Sequence, residues 1–236
     1  MLRNKIILFI CILLAGVASF AQVEQYRPFH DDLPYYFGLT LNYNSSSLHA
    51  SKSNYFLQND SILTAYAGSS GGMALGLLAT ARIGDHLQFR VNPQLIIGGS
   101  RYFNYTLGSP ALGEDVHQQK ILPTTIVSFP FHFKFNSDRI GNFRTYLLYG
   151  IKYDIDLASN SSARNADDMI KLKAGDFGIE GGIGFNFFLP FVTLSPEIKF
   201  SFGLTDLHQY DPALKYSNVF EKIQSRMIVF SLHFED

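Results

Sequence analysis

Apolar and polar residues alternate with a period of two along the segment from Lys171 to Asp206. The first arm places one apolar set on a single face: Phe177, Ile179, Ile183, Phe185, Phe187 and Leu189. After a turn at Leu189-Pro190, the second arm does the same with Val192, Leu194, Pro196, Ile198, Phe200, Phe202 and Leu204. Successive side chains leave a β-strand on opposite sides, so this pattern predicts a hairpin of two strands. Each arm is about a dozen residues long, enough for a tilted strand to cross a bilayer.

The same alternation recurs in six further segments, which together with the hairpin predict eight strands. They span 35–43, 72–83, 87–97, 124–135, 143–156 and 226–235. Pro93 lies within the third of the eight strands, and because proline cannot donate to a ladder it predicts a bulge or break there. The segments 44–71, 101–120, 158–171 and 206–222 lack a sustained period, so we expect four long loops.

Long and short connections alternate between the predicted strands. The long ones are centred near Ser46, Gly108, Asn160 and Tyr210, and the short ones lie at Asp85, Ser137 and Pro190. This asymmetry is typical of up-and-down outer-membrane barrels, whose long loops lie outside the cell and whose short turns lie in the periplasm. The sequence therefore predicts an all-β fold, an eight-stranded antiparallel up-and-down transmembrane β-barrel of the outer-membrane type.

The alternative is a soluble eight-stranded barrel of the lipocalin kind, with its apolar face inside. Such a barrel needs a charged outer surface, whereas the polar face here is rich in Gly, Ser, Thr, Asn and Gln, with few charges of mixed sign. Only 17% of the residues are charged and 47% are hydrophobic, and the 22 Phe and 13 Tyr disfavour a disordered chain. Beyond the amino terminus no apolar run is long enough for a membrane-spanning helix. A membrane location therefore requires a closed barrel.

The amino terminus has the three parts of a secretory signal peptide. Arg3 and Lys5 supply the positive region, residues 6–17 the apolar core, and Ser19-Phe20-Ala21 the small-x-small cleavage site. We therefore predict a signal peptide at 1–21, a periplasmic lead-in at 22–34, an outer-membrane barrel at 35–236, and an outer-membrane location. Within the lead-in, His30-Asp31-Asp32 is expected to be an exposed tail rather than a metal site.

Composition excludes several kinds of chemistry. The single cysteine, Cys11, lies in the signal peptide, so the mature chain is predicted to form no disulfide. Removing Arg3 and Lys5 from the 19 basic residues leaves 17 against 20 acidic residues, a net charge of −3. There is no basic stripe, so we expect no nucleic-acid partner. We expect the barrel to contact outer-membrane lipid.

Charged residues on the polar face are predicted to lie inside the barrel. Counted from the short turns, Lys152, Glu180 and Lys199 fall at similar heights on three neighbouring strands, with Asp154 and Glu197 one dyad away. Opposite charges on neighbouring strands stabilise a sheet by roughly 0.2–1 kcal/mol each, and an unpaired charge in a narrow lumen costs more. The interior of eight strands is just wide enough to be filled by side chains, which excludes a protein-conducting pore. The predicted structural network is Arg90, Lys152, Asp154, Glu180, Glu197 and Lys199.

The hairpin also carries residues found together in a known family: Gly175-Asp176, Glu180, Gly182, Gly184-Phe185, Leu189-Pro190 and the run LSPEIKFSFGL at 194–204. With the segments 37–41, 129–157 and 225–235, they resemble the PorT family, also called SprT. The resemblance spans essentially residues 35–235 and is weak in the loops. Where the family is expected to carry an acidic residue before the Phe-Pro of the fourth strand, this chain has Ser128.

PorT-family proteins are outer-membrane proteins associated with type IX protein secretion and gliding. The resemblance therefore implies a non-enzymatic barrel component or assembly factor of that machinery, with other secretion-system proteins as partners. The family brings no catalytic residues, and we predict no catalytic, cofactor-binding or metal-binding residue, no cofactor and no small-molecule substrate.

Two alternatives stay open at this point. One is a generic small outer-membrane barrel, porin-like or adhesin-like, which shares only the fold. The other is an outer-membrane lipid-modifying enzyme, which needs a nucleophile, a histidine and an acid near one end of the barrel. The candidates for those roles are His117 or His208 with Ser109 or Asp211, although they show no recognised catalytic spacing.

Overall fold

The computed structural model describes residues 24–58, 61–110, 115–159, 170–210 and 216–236. The predicted signal peptide, with Gln22 and Val23, lies outside the described residues. The strands are β1 (Tyr35–Lys52), β2 (Ile62–Gly68), β3 (Ser70–Arg82), β4 (Leu87–Val91), β5 (Gln94–Gly98), β6 (Arg101–Leu107), β7 (His117–Leu122), β8 (Thr125–Asn136), β9 (Phe143–Asp156), β10 (Gly175–Phe188), β11 (Thr193–Gly203) and β12 (Phe220–Glu235). A 3-10 turn (His30–Asp32) precedes β1, and a short helix, α1 (Asn54–Gln58), follows β1.

The strands close into a ring of eight antiparallel positions, which confirms the predicted fold. Around the ring the order is β1, β12, β11, β10, β9, β8, then β4 and β5 together, then β3, which pairs back with β1. β4 and β5 are two halves of one strand, interrupted at Asn92-Pro93. Pro93 therefore breaks the ladder as predicted, although its carbonyl still accepts a hydrogen bond from the Leu77 amide at 3.0 Å.

The barrel has an apolar outside and a polar inside. In β1, the outward side chains of Phe37, Leu39 and Leu41 are about half exposed, while the alternating Thr40 and Asn42 are buried. The same alternation runs through β8 to β12. This arrangement is the reverse of a soluble barrel and is the one that lipid requires.

Two of the predicted long loops are instead folded, and those loop predictions were wrong. β1 continues to Lys52, well past its predicted end, and residues 44–71 also contain α1 and β2. Residues 101–120 contain β6 and most of β7, and β2, β6 and β7 form a second, three-stranded antiparallel sheet. We call this sheet, with the segments packed under it, the cap. Parts of the third and fourth predicted loops, 160–169 and 211–215, lie outside the described residues.

The cap has its own apolar core. The inward residues of β6, Phe103, Tyr105 and Leu107, are almost fully buried. They join a cluster with the extended upper parts of β1 and β12, which contribute Leu48 and Ile223. Burying this much apolar surface stabilises the sheet on top of the barrel, at the end that carries the long connections.

The lead-in folds against the opposite end of the barrel, where the short turns lie, so the expectation of an exposed tail was wrong. His30 is 7% exposed and its ring packs against Tyr36 and Phe188, with centroids 4.9 and 5.7 Å away. Asp31 forms ion pairs with Arg139 and Arg144 at 3.3 and 2.9 Å. The polar lead-in packs against the barrel because cationic side chains and aromatic rings line this rim.

Among the described residues, no helix combines the length and the apolar character needed to span a bilayer.

Candidate functional site

Glu197 on β11 lies at the centre of the lumen network. Its Oε2 accepts hydrogen bonds from Arg90 Nη1 at 2.9 Å and from the Tyr146 hydroxyl at 2.7 Å. Its Oε1 lies 3.3 Å from both Lys199 Nζ and His233 Nε2. The carboxylate is completely buried, and a buried carboxylate is tolerated only with this kind of compensation.

Arg90 extends the network towards the end of β12. Its Nη2 donates to Glu235 Oε1 at 2.7 Å, and Lys134 Nζ lies 3.9 Å from the other oxygen of Glu235. The Lys134 ammonium also stands 4.0 Å from the centre of the Tyr146 ring, a favourable cation–π distance. Glu235 is the last residue of β12, and it is buried inside the barrel.

His132 and Glu180 meet across an intervening strand. His132 lies on β8 and Glu180 on β10, and the residue between them on β9 is Gly150, opposite both. His132 Nε2 and Glu180 Oε2 are 2.8 Å apart. Because Gly150 has no side chain, the two groups can approach over the strand that separates them.

A second group of charges lies nearer the cap. Asp154 accepts hydrogen bonds from Lys152 at 2.6 Å and from Ser128 at 2.5 Å. Asp176 accepts a hydrogen bond from Ser225. Ser128, which replaces the acidic residue expected from the resemblance, therefore serves as a donor to a carboxylate on the neighbouring strand.

The interior charges balance. Setting aside Arg144, whose partner is Asp31 of the lead-in, the buried charged residues of the described barrel interior are five bases and five acids. The bases are Arg90, Arg101, Lys134, Lys152 and Lys199, and the acids are Asp154, Asp176, Glu180, Glu197 and Glu235. A narrow, desolvated interior requires such neutrality, because an unpaired charge there costs several kcal/mol.

All six residues of the predicted network lie buried inside the barrel. The structure brings Arg90 to Glu197 and Lys152 to Asp154. It does not form the predicted row of Lys152, Glu180 and Lys199 in direct contact, because Gly178 stands opposite Lys152 and Gly182 stands opposite Lys199. Sequence reasoning missed the partners on β8 and β12, which are His132, Lys134, His233 and Glu235. All four lie at polar positions of the alternation along their strands, and this position was the sequence signal that could have placed them in the lumen.

A cluster of apolar side chains, which we call the apolar layer, also lies inside the barrel beside the charge network, since Val229 stands opposite Lys199. It consists of Ala74, Ile96, Ile126, Met227 and Val229, which come from four strand positions around the ring. These side chains point inward in the same phase as the polar residues above and below them. Together with the charge network, these side chains fill part of the lumen.

The short-turn end is sealed by aromatic and cationic side chains. Phe188 is 1% exposed, and the Arg139 guanidinium lies 3.6 Å from the centre of its ring. Arg139 also donates to the carbonyls of Tyr26 and Arg27. Burial lowers the pKa of His30, and the nearby Arg27 adds to that effect. A neutral imidazole is therefore favoured in this seal.

Among the described residues, the three considered for catalysis, His117, His208 and Ser109, do not share a site. His208 is buried in the cap with Nε2 2.8 Å from the Ser217 hydroxyl, and burial lowers its pKa. His117 lies exposed on β7, with Nδ1 3.5 Å from the hydroxyl of Thr106. Ser109 is exposed after β6, and Asp211 lies outside the described residues. Among the described residues, no group of three or more His, Cys, Asp or Glu side chains is arranged to hold a metal ion.

A family model described as "Outer membrane protein beta-barrel domain" matches residues 20–209, which is more than half of the chain. Curated protein sequences gave no significant match.

Several solved structures resemble the chain. Neisserial surface protein A (NspA) is 13% identical, with 84% of this chain and 96% of that chain covered and a TM-score of 0.41. OprG from Pseudomonas aeruginosa is 15% identical, with 84% and 94% covered and a TM-score of 0.45. Ail of Yersinia pestis, crystallised with the heparin analogue sucrose octasulfate, is 7% identical, with 86% and 100% covered and a TM-score of 0.40. At identities this low the likeness concerns the fold alone.

Proposed function

The chain belongs to the outer membrane protein beta-barrel domain family, and from this premise we propose that it is a sealed, non-enzymatic barrel that acts at the cell surface through its cap. Its location is the outer membrane. In this proposal the barrel is an anchor, and the cap, which stands at the long-connection end, is the working part. This is the adhesin-like form of the generic-barrel alternative.

The filled lumen is the observation that carries the proposal. Arg90, Lys134 and Tyr146 are almost completely buried around Glu197, and the apolar layer fills lumen space beside them. An eight-stranded barrel packed in this way has no room for a solute path. A porin-like role is therefore disfavoured, and the surfaces outside the lumen are the parts left for function.

The cap supports the same conclusion. Binding surfaces of barrels are usually built from loops on a rigid scaffold, but here the connections form a hydrogen-bonded sheet with a buried core. A folded cap presents a fixed set of side chains. Such preorganisation favours specific recognition because less conformational entropy is lost on binding.

Membership of the type IX secretion and gliding machinery is the second candidate. It rests on the resemblance of 171–207 and the flanking strands to the PorT family. In that case the partners would be other secretion-system proteins, and the rims and the cap would be the contact surfaces, since the packed lumen cannot conduct protein.

A deletion strain, complemented with the intact chain or with a capless variant, distinguishes the two candidates. In the capless variant a short Gly/Ser linker replaces residues 100–123, which removes β6 and β7, two of the three cap strands, and joins β5 directly to β8. We expect the deletion and the capless variant to lose adhesion to surfaces or to other cells while protein secretion stays unchanged. A heat-modifiability gel confirms that the shortened barrel is folded, and planar-bilayer recordings of the intact barrel should show no steady conductance.

Two results would overturn the adhesin-like proposal. One is steady ion conductance by the intact barrel. The other is a deletion strain that adheres normally, and if that strain also fails to release proteins with carboxy-terminal sorting domains, the secretion candidate takes its place.

A further inference from the structure

We propose that the outer face of the cap sheet is a binding site for an uncharged glycan. This inference rests on the proposed function, because it names the ligand class of the same surface. It is carried by nine side-chain positions that the strand register places on one face, away from the cap core.

The register of β2, β6 and β7 arranges these positions as three rows of three. Gly68, Tyr102 and Ile121 form the first row; Tyr66, Asn104 and Gln119 the second; Thr64, Thr106 and His117 the third. Neighbouring strands lie about 4.8 Å apart, and alternate residues about 7 Å apart along a strand. One small ligand can therefore touch several of these side chains at once.

Tyr102 forms a flat platform on this face. A Cβ atom built on Gly68 would lie only 2.0 Å from Cε2 of Tyr102, so the ring lies across the glycine and covers its backbone. Packing an aromatic ring over a glycine on the neighbouring strand is a known way to stabilise a sheet. With one ring face against the sheet, the other is available to stack against the C–H face of a sugar, whose partial positive charge suits the negative face of the ring.

A fixed pair of amides lies in the next row. Gln119 Nε2 donates to Asn104 Oδ1 at 3.1 Å across the two strands. This hydrogen bond orients both amides, and it leaves the Asn104 Nδ2 group as a donor and Gln119 Oε1 as an acceptor at the surface. A donor beside an acceptor matches neighbouring hydroxyl groups, each of which can both donate and accept.

The face carries neither an acidic nor a strongly basic side chain. None of the nine positions is Lys, Arg, Asp or Glu, and Lys120 of β7 turns to the other face, where its Nζ lies 4.6 Å from the centre of the Tyr216 ring. A site for a sulfated or phosphorylated ligand needs cations, so the composition favours neutral sugars. A large protein interface would instead have an apolar centre, whereas Ile121 is the only aliphatic side chain among the nine positions.

Neutral sugar chains occur on other cells and also on the lipopolysaccharide of the same outer membrane. The test therefore uses the purified full-length barrel in a detergent without a sugar headgroup. Saturation-transfer NMR and a glycan array are run with three sets of probes: neutral oligosaccharides, sulfated oligosaccharides, and delipidated polysaccharide from the producing strain. The variants are Tyr102→Ala and Gln119→Ala, and Tyr210→Ala is the matched control because Tyr210 is exposed but lies outside the nine positions.

We expect binding of at least one neutral glycan set, a loss of at least tenfold in affinity for Tyr102→Ala and Gln119→Ala, and unchanged affinity for Tyr210→Ala. Gln119→Glu, which keeps the shape but adds a charge, provides a second variant if Tyr102→Ala disturbs the sheet, and it should also weaken binding. Binding of sulfated glycans only, no glycan binding, or binding insensitive to both Gln119 variants would each overturn the inference. Adhesion that requires the cap but ignores these variants would refute the glycan site and leave the proposed function standing.

Discussion

At the scale of single residues, the lumen is organised by one carboxylate. Arg90, Tyr146 and His233 reach Glu197 from three other strands, whereas Glu180 has His132 as its close partner. The polar phase of each strand predicted which side chains point inward. It did not predict which of them are in contact, because the stagger of strands in a barrel sets the height of each pair. In addition, a glycine such as Gly150 allows side chains on the two strands beside it to contact each other across the strand that carries it.

This difference predicts that Glu197 contributes more to stability than Glu180. Glu197→Leu removes the carboxylate that Arg90, Lys199 and His233 share and leaves Arg90 with Glu235 alone, and breaking a buried ion pair in this way costs about 3–5 kcal/mol. Glu197→Gln should cost less because it keeps the shape and part of the hydrogen bonding. Urea unfolding in lipid vesicles, followed by the heat-modifiability gel, measures both, with Glu180→Leu as the comparison. A larger loss for Glu180→Leu than for Glu197→Leu would contradict this assignment of the centre.

At the scale of elements, β10 is shaped to receive the large side chains of its neighbours. A Cβ on Gly184 would lie 2.2 Å from Cζ of Tyr146, and one on Gly182 would lie 2.3 Å from the Ile198 carbonyl oxygen and 3.0 Å from Cγ of Lys199. These glycines point into the lumen and leave room for the tyrosine and the lysine. Gly181 lies in the opposite phase, towards the lipid, and a Cβ there would meet only the Leu148 carbonyl at 3.9 Å.

Alanine substitutions at these two glycines should therefore have opposite outcomes. Gly184→Ala displaces the Tyr146 ring, which also disturbs its hydrogen bond to Glu197, and we expect a loss of about 1–3 kcal/mol, typical of overpacking. Gly181→Ala should be neutral or slightly stabilising, because alanine costs less conformational entropy than glycine within a strand. Urea unfolding midpoints of the two variants, compared at equal m-values, provide the measurement. Equal destabilisation by both variants would mean that glycine is needed on β10 for another reason.

The barrel strands could be predicted from the sequence, and the cap could not. In β8 to β11 the outward positions are predominantly apolar over eleven or more residues, because lipid faces one side along the whole length. β2 and β7 are only seven and six residues long, and a bulge between Ile62 and Thr64 interrupts the phase of β2. The apolar partners of the cap come from segments as distant as Leu48 and Phe220. Such a core is formed by tertiary contacts that no local pattern encodes.

At the scale of the whole molecule, the barrel is closed in three ways along its axis. The lead-in covers the short-turn end through His30 and Asp31, the charge network and apolar layer fill the middle, and the cap core covers the other end. The two covers are different in kind, since one is a polar strap and the other a folded sheet. This asymmetry gives the two faces of the membrane different surfaces, and the assignment of each face to a compartment is the remaining prediction.

We predict that the cap faces the outside of the cell and the lead-in faces the periplasm. An even number of strands returns both ends of the barrel to one side, and long connections of outer-membrane barrels lie outside. Single cysteines in the predicted Cys-free mature chain test this with a membrane-impermeant thiol reagent on whole cells. Ser46 is unsuitable because it is buried and accepts a hydrogen bond from Arg101, whereas Ser51 near the cap and Ser137 in a short turn are both exposed.

Ser51→Cys should be labelled on intact cells, because it lies at the exposed upper end of β1, beyond the buried Leu48. Ser137→Cys should be labelled only after the outer membrane is permeabilised, and its labelling under that condition is the control for access to the thiol. The heat-modifiability gel shows that each variant is folded. Labelling of Ser137→Cys on intact cells together with protection of Ser51→Cys would invert the topology. It would also place the cap, and the glycan site proposed on it, on the periplasmic side, where it could not serve adhesion.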